Sequence, residues 1–515
     1  MDGPIVDVDR GSATPIGAQL VDGLRQGVLG GSLRPGDPVP STRALASTLG
    51  ISRSVVVTAY DQLVGEGYLE TRQGAATRVA ELGPRPDRSA DAAASMPSAG
   101  PAGSSSARSS PAGSTETPPL GHAAIAAPAE PRINLLPGRP STSRLDTRAW
   151  RAAWRRAATA EIPADSPPPF GVPRLRVEIA DHLRHARGLA CSPDDVVVTA
   201  GTSEALGLVA SVLADLAGRP PVIAIEHPGY PSARRLFARR GARTAPLALD
   251  RDGFDVGALR RLPSPPDAVL VTPSHQYPIG GRLPVSTRLD LIGWARTTGG
   301  LVIEDDYDSE FRHLGPPLPA LASLDDGGRV VLVGSFSKVL TPWIRLGYLV
   351  LPPANRELRE AIAASRDDEA CPVPGVAQHA IAELLASGAV RRHIAVVRRE
   401  YAHRRGLVLA ALDGLPAATL SALDGGLHAV VELPDAAASA ALVTRLASEG
   451  VAVAPLSDYS AVPGDGRPGI VFGYAAPSDT RLVEGLARIR SAILDLTAAP
   501  APAPATPNSS FTPSR

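Results

Sequence analysis

RVVLVGSFSKVLTPWIRLGYLV, Arg329 to Val350, decides the fold and contains, at Lys338, the only lysine among 52 basic residues. A chain that uses arginine everywhere else has no general need of an ammonium group at its surface. An amine, unlike a guanidinium, can lose its proton and attack a carbonyl carbon. The β-branched run Val330 to Val333 predicts a buried strand, and Gly334-Ser335-Phe336-Ser337 leads off it directly into the lysine. Lys338 is therefore expected at the carboxyl end of a strand, the edge at which open α/β sheets bind ligands.

Working outward, four more apolar runs end alike. Val196 to Thr199 leads into Ala200-Gly201-Thr202-Ser203-Glu204 and a helix. Val222 to Ile225 ends at Glu226-His227-Pro228-Gly229-Tyr230, and Ala268 to Thr272 at Pro273-Ser274-His275-Gln276-Tyr277-Pro278. Gly300 to Ile303 ends at Glu304-Asp305-Asp306-Tyr307-Asp308. Five buried strands with polar or aromatic ends, separated by helical patterns, predict an α/β domain around a mainly parallel sheet with one ligand edge.

At that edge the residue types fit one cofactor. A lysine that forms a Schiff base with pyridoxal phosphate needs a carboxylate for the pyridinium nitrogen, a donor for the phenolic oxygen and a cup for the phosphate. Asp305 and Tyr307, two residues apart and so on one face of an extended chain, can supply the first two. Ser335, Ser337, Arg345 and the helix opening at Gly201, Thr202 and Ser203 can supply the third. Tyr230 can stack on the ring, and Tyr277 ends a strand beside it.

The 515 residues exceed one ordinary domain, and the composition breaks where expected. Residues 83–130 are rich in Pro, Ala, Ser and Gly without periodicity, which predicts a disordered linker, and 498–515 read as a disordered tail. The expected domains are 10–82 and 131–497, the second ending in a smaller α+β subdomain. Formal net charge is zero at pH 7, so any nucleic-acid contact must come from a local basic patch. Two cysteines without CxxC spacing give neither a disulfide framework nor a zinc site. With no apolar leader and no membrane-length apolar run, a cytoplasmic protein without a membrane partner is expected.

The amino-terminal part predicts a helix bearing Ile16, Leu20, Leu24 and Val28, then a short helix capped by Ser41 and ended by Gly50, then a helix from Arg53 to Glu66 behind Ser52. Two short helices joined by a tight turn form a helix-turn-helix, whose second helix enters the major groove of DNA. Thr71-Arg72-Gln73-Gly74 reads as the turn of a hairpin wing.

Two resemblances follow from these residues. Gly36-Asp37-Pro38-Val39-Pro40-Ser41-Thr42-Arg43, Gly50-Ile51-Ser52-Arg53, Ala59-Tyr60 and Glu66-Gly67-Tyr68-Leu69 resemble the winged helix-turn-helix of GntR-type bacterial regulators. That likeness implies contacts to a double-stranded DNA operator by Ser41, Arg43, Ser52, Arg53, Ser54 and, in the wing, Arg72. Gly74-Ala75-Ala76-Thr77 departs from the family's usual Gly-Ser-Gly-Thr. His275-Gln276-Tyr277-Pro278, the run Glu304 to Phe311, and Ser335-Phe336-Ser337-Lys338 with Arg345 resemble the fold-type I aminotransferase domain of MocR-type regulators. This implies an internal aldimine of pyridoxal 5'-phosphate on Lys338, with Asp305, Tyr307, Ser335, Ser337 and Arg345 in the roles above. It also implies a domain whose usual main role is that of a sensor, with residual aminotransferase activity left open, and a head-to-tail homodimer in which the head of one chain rests on the large domain of the other. Aminotransferases grip the substrate carboxylate with an arginine near a late strand. Here Gly469 to Tyr474 contains none, and Arg467, just before it, is the candidate; without that grip, pyridoxal phosphate itself stands as a candidate effector beside an amino compound. Two alternatives stay open: an aminotransferase with an accessory head, and a regulator whose large domain serves only for dimerisation.

Overall fold

The computed structural model describes residues 8–11, 16–66, 68–71, 76–80, 132–250, 253–314 and 319–498. The first unit has helices Ile16–Leu29, Thr42–Leu49 and Arg53–Glu66, followed by strands Leu69–Glu70 and Arg78–Val79 paired antiparallel. Helical spacing puts Leu20, Leu24 and Val28 on one face, and they are buried with Leu45, Val56, Tyr60 and Leu63. Ser41 caps the short helix, its Oγ accepting from the Ala44 amide at 3.2 Å, and Gly50 ends it in the left-handed conformation at φ 60°. Val285 and Leu289 of helix Val285–Thr298, in the large domain of the same chain, complete this unit's core. Arg72 and the wing tip lie outside the described residues, as do the expected linker and the tail beyond residue 498.

The large domain is built on an eight-stranded sheet. Its order across the sheet is Val196–Thr199, Gly347–Val350, Val330–Ser335, Leu301–Asp306, Ala268–Val271, Val222–His227, Arg243–Asp250 and Gly253–Phe254. All pairings are parallel except those of Gly347–Val350 with both neighbours and of Gly253–Phe254. Both faces are covered, which is why the strands read as unbroken apolar runs: Val331 and Val333 face one hydrophobic cluster while Val330 and Leu332 face others. Three of these strands, Arg243–Asp250, Gly253–Phe254 and Gly347–Val350, are additional to the five read from sequence. A four-stranded antiparallel sheet, in the order Thr419–Ser421, His428–Glu432, Gly469–Gly473 and Ala454–Pro455, forms the smaller carboxyl-terminal part.

The antiparallel strand matters most for the site. Ser335 pairs with Gly347, and Gly347 with Thr199, so this strand begins where its two neighbours end. Arg345, two residues before it, is thereby delivered to the ligand edge. Gly347 must be glycine, because a Cβ there would lie 2.7 Å from the Gly334 carbonyl oxygen and 2.9 Å from Cα of Gly201. Gly201, at φ 86°, needs the left-handed freedom of glycine to turn the chain into helix Thr202–Ala217.

Candidate cofactor site

The carboxyl ends of the central strands open into a cavity of about 900 Å³, its mouth included. Its walls include Lys338, Asp305, Tyr307, Ser335, Ser337 and Arg345, with Thr202, Ser203, Tyr230 and Tyr277. Gly201 adjoins it, with the Arg345 guanidinium 3.8 Å from where a Cβ would stand. Parallel register places Val333 opposite Asp305, so the segments carrying Lys338 and Tyr307 leave the sheet side by side. Alternation along Leu301–Asp306 then separates two sets of acids. Glu304 and Asp306 turn away to the buried Arg187, whose Nε lies 2.7 Å from Asp306 Oδ2, while Asp305 faces the cavity.

Lys338 is half-buried, and its Nζ donates to the Gly138 carbonyl at 2.5 Å. Burial holds the amine below the usual lysine range, against the opposing pull of Asp308 and Asp305. This is the environment in which an amine becomes a nucleophile. Asp305 is pushed up to about 7, first by burial and then by Asp306 and Glu226, with Lys338 opposing. Its Oδ1 is buried and has no hydrogen-bond partner. A buried acceptor left open in this way fits the N–H of a cationic ring, which would hold the carboxyl ionised. At the opposite end, the hydroxyls of Thr202, Ser203, Ser335 and Ser337, the first turn of a helix and one guanidinium suit a phosphate. Ser335 Oγ donates to Ser337 Oγ at 2.9 Å and accepts from the Ser337 amide at 3.1 Å. The residues present fit pyridoxal phosphate.

Aromatic rings build the remaining wall. Tyr277 meets Tyr230 edge-on at 6.0 Å and Tyr307 at 5.5 Å, and its hydroxyl is 3.2 Å from that of Tyr459. Burial pushes the Tyr307 and Tyr277 hydroxyls well above the usual tyrosine range, so both stay protonated donors at neutral pH.

Thr272, Asp308, Gly138, Leu427 and His428 also line the cavity, beyond the residues singled out from sequence. Asp308 and Thr272 sit at strand ends already recognised, a signal that was available. Gly138 and His428 come from distant parts of the chain and carry no local signal. Arg467 does not line this cavity. It stands 4.0 Å from Glu432 and borders a separate recess with Glu226, Gln276 and Phe254. In the amino-terminal unit, Arg53 Nε donates to Thr42 Oγ1 at 3.4 Å, and the Ser52 and Ser54 hydroxyls are 2.9 Å apart at the start of the third helix.

Comparison with known proteins gives a family match over each part. Residues 131–489 match the family described as aminotransferase class I and II, and residues 16–79 match bacterial regulatory proteins of the gntR family. The HTH-type pyridoxine biosynthesis transcriptional regulator PdxR of Corynebacterium glutamicum is 42% identical over 93% of this chain and 96% of its own length. The probable rhizopine catabolism regulatory protein MocR of Rhizobium meliloti is 33% identical over 95% of this chain and 96% of its own. Among solved structures, the α-aminoadipate aminotransferase LysN of Thermus thermophilus, complexed with N-(5'-phosphopyridoxyl)-L-leucine, superposes with a TM-score of 0.63 at 27% identity, covering 71% of this chain and 93% of that one.

Proposed function

Because the chain belongs to the MocR-type transcription regulators, gntR-family proteins that join a helix-turn-helix to a class I and II aminotransferase domain, we propose that it regulates transcription in response to pyridoxal phosphate or an amino compound that reacts with it. The observation that carries this reading is the unpartnered Oδ1 of Asp305 in the cavity that Lys338 lines, within a chain that also bears a winged helix-turn-helix. Lys338 would hold the cofactor at its aldehyde carbon, Asp305 at the ring nitrogen and Tyr307 at the phenolic oxygen. Ser335, Ser337, Arg345, Gly201, Thr202 and Ser203 hold the phosphate, with Tyr230 and Tyr277 against the ring. Bound there, the cofactor supplies an electrophilic carbon that primary amines can reach. Ser41, Arg43, Ser52, Arg53, Ser54 and Arg72 contact the operator, and occupancy of the cavity shifts the balance between conformations of different DNA affinity.

The working form in this reading is a cytoplasmic head-to-tail homodimer. Trp343 supports it: the ring is 92% exposed beside Pro342, which lines the cavity, and a second chain would cover it. No described helix is long and apolar enough to cross a membrane.

The test is selection of duplexes from a random pool with and without pyridoxal phosphate, run beside a visible-absorbance titration of the wild type and Lys338→Ala. Enrichment of a defined sequence by the wild type, altered by the cofactor and insensitive to it in Lys338→Ala, is expected. Failure to enrich any sequence, together with steady transamination, would replace this reading by that of an aminotransferase with an accessory head, which the complete cofactor site also suits.

A further inference from the structure

Tyr307 does not stand alone behind the cavity. Its hydroxyl is 3.0 Å from Nδ1 of His275, and the Asp308 carboxyl Oδ2 is 2.9 Å from the same nitrogen. The rings of His275 and Tyr307 are nearly parallel, 24° apart with centroids at 6.2 Å. His275 and Asp308 are 5% and 2% exposed, so both are largely withdrawn from bulk solvent. We propose that His275 and Asp308 are a buried positioning pair that fixes the hydroxyl proton of Tyr307 toward the cavity, and so makes Tyr307 a committed hydrogen-bond donor to the ligand held there. The proposal rests on the cofactor reading above for its ligand, but the geometry of the pair stands independently of it.

One imidazole nitrogen cannot both donate to Asp308 and accept from Tyr307. If Nδ1 is bare, Tyr307 donates to it, and the Asp308 carboxylate faces a lone pair at hydrogen-bond distance, which is repulsive. If Nδ1 carries the proton, it donates to Asp308 and is closed to Tyr307 as an acceptor, so the Tyr307 proton turns to the Asp308 carboxyl, with which the hydroxyl also interacts, or to an acceptor on a ligand in the cavity. Nε2 favours the second arrangement. It is buried and has no hydrogen-bond partner, and an unmatched acceptor costs less there than an unmatched N–H. The same reasoning disfavours the doubly protonated ring.

His428, from the smaller sheet, lies 5.3 Å away ring to ring; burial pushes it down to about 4, and its Nε2 is within 2.9 Å of the Pro278 carbonyl. Burial likewise lowers His313 to about 4, with His275 among the lesser contributors. Lys338 acts electrostatically on Asp308 and His428, and Arg282, Arg312 and Asp424 line a recess on the other side of the pair. The Gly425–Gly426 turn seals it: at Gly426, with φ 75°, a Cβ would stand 2.4 Å from Asp308 Oδ2 and 2.7 Å from His275 Nδ1.

Two measurements test the pair. The first needs no cofactor: with ¹⁵N-histidine labelling, the signals lost in His275→Asn identify those of His275, which should show a protonated Nδ1 and a bare Nε2. The second is the pH midpoint of the visible absorbance of protein loaded with pyridoxal phosphate. Losing the Tyr307 donor should raise that midpoint by about one unit or more in His275→Phe and Asp308→Asn, a tenfold change in proton affinity. His275→Asn, whose amide can donate from near the Nδ1 position, should restore most of the shift. A protonated Nε2 with a bare Nδ1, or an unchanged midpoint in variants that melt like the wild type, would overturn the proposal. Protein that takes up no pyridoxal phosphate would defeat the cofactor reading, while the labelling result still decides the pair.

Discussion

Replacing Asp305 by asparagine should make the cofactor-free protein more stable at pH 8 and at the same time weaken its hold on pyridoxal phosphate. Burial and the neighbouring acids raise the folded carboxyl from 3.8 to about 7. Below about pH 4 the proton is held in folded and unfolded chains alike, and the group costs nothing. As pH rises through the folded value, the unfolded chain has already released its proton, so stability falls. The full cost above pH 7 is about 4 kcal/mol at 1.36 kcal/mol per unit. Asparagine keeps the shape and removes the charge, so the variant should gain about 2 to 4 kcal/mol at pH 8, after an allowance for burying an amide, and about 1 kcal/mol or less at pH 4.5. Calorimetry of the cofactor-free protein at both pH values reads this as a thermal midpoint several degrees higher at pH 8 alone. Loss of a charge-assisted hydrogen bond to the pyridinium, about 1.5 to 3 kcal/mol, should weaken cofactor binding about 10- to 150-fold. A midpoint raised equally at both pH values, or an unchanged cofactor affinity, would refute the assignment of Asp305 as a buried carboxyl kept for a cationic ligand.

Arg187→Met leaves Asp306 and Glu304 without their buried counter-ion, which lies 2.7 Å and 3.9 Å away respectively. The loss should be about 3 to 5 kcal/mol in urea unfolding at pH 8 and smaller at pH 5, where Asp306, raised to about 7, takes up a proton. Arg53→Ala should reduce discrimination between selected and random duplexes by about 1 to 3 kcal/mol if the guanidinium reads a base edge. Equal loss on both DNAs, with a salt slope smaller by about one, marks a phosphate contact instead.

Legibility in the sequence followed the range of the physics. Asp305 and Tyr307 were readable because strand alternation is local, and Lys338 because its residue type is unique in the chain. The helix opening at Gly201 was readable because small residues before an apolar helix form a local pattern. Gly138 meets Lys338 across 200 positions, and His428 comes from another sheet, so no spacing could announce either. Arg467 shows the reverse: proximity to the late strand in sequence suggested the ligand cavity, whereas the smaller sheet carries it to a different recess.

The sequence by itself determined that this is an α/β domain with a lone lysine at a strand end, preceded by a helix-turn-helix, because apolar periodicity, caps and residue chemistry act over a few residues. Only the tertiary structure decided that Gly347–Val350 runs against its neighbours. That reversal brings Arg345 to the edge where Ser335 ends and Thr202 begins, and gathers scattered hydroxyls and one guanidinium around a single cavity. It also decided that Tyr307 is backed by His275 and Asp308. Strand direction and partner choice are set by packing over the whole sheet, which no local stretch of chain encodes.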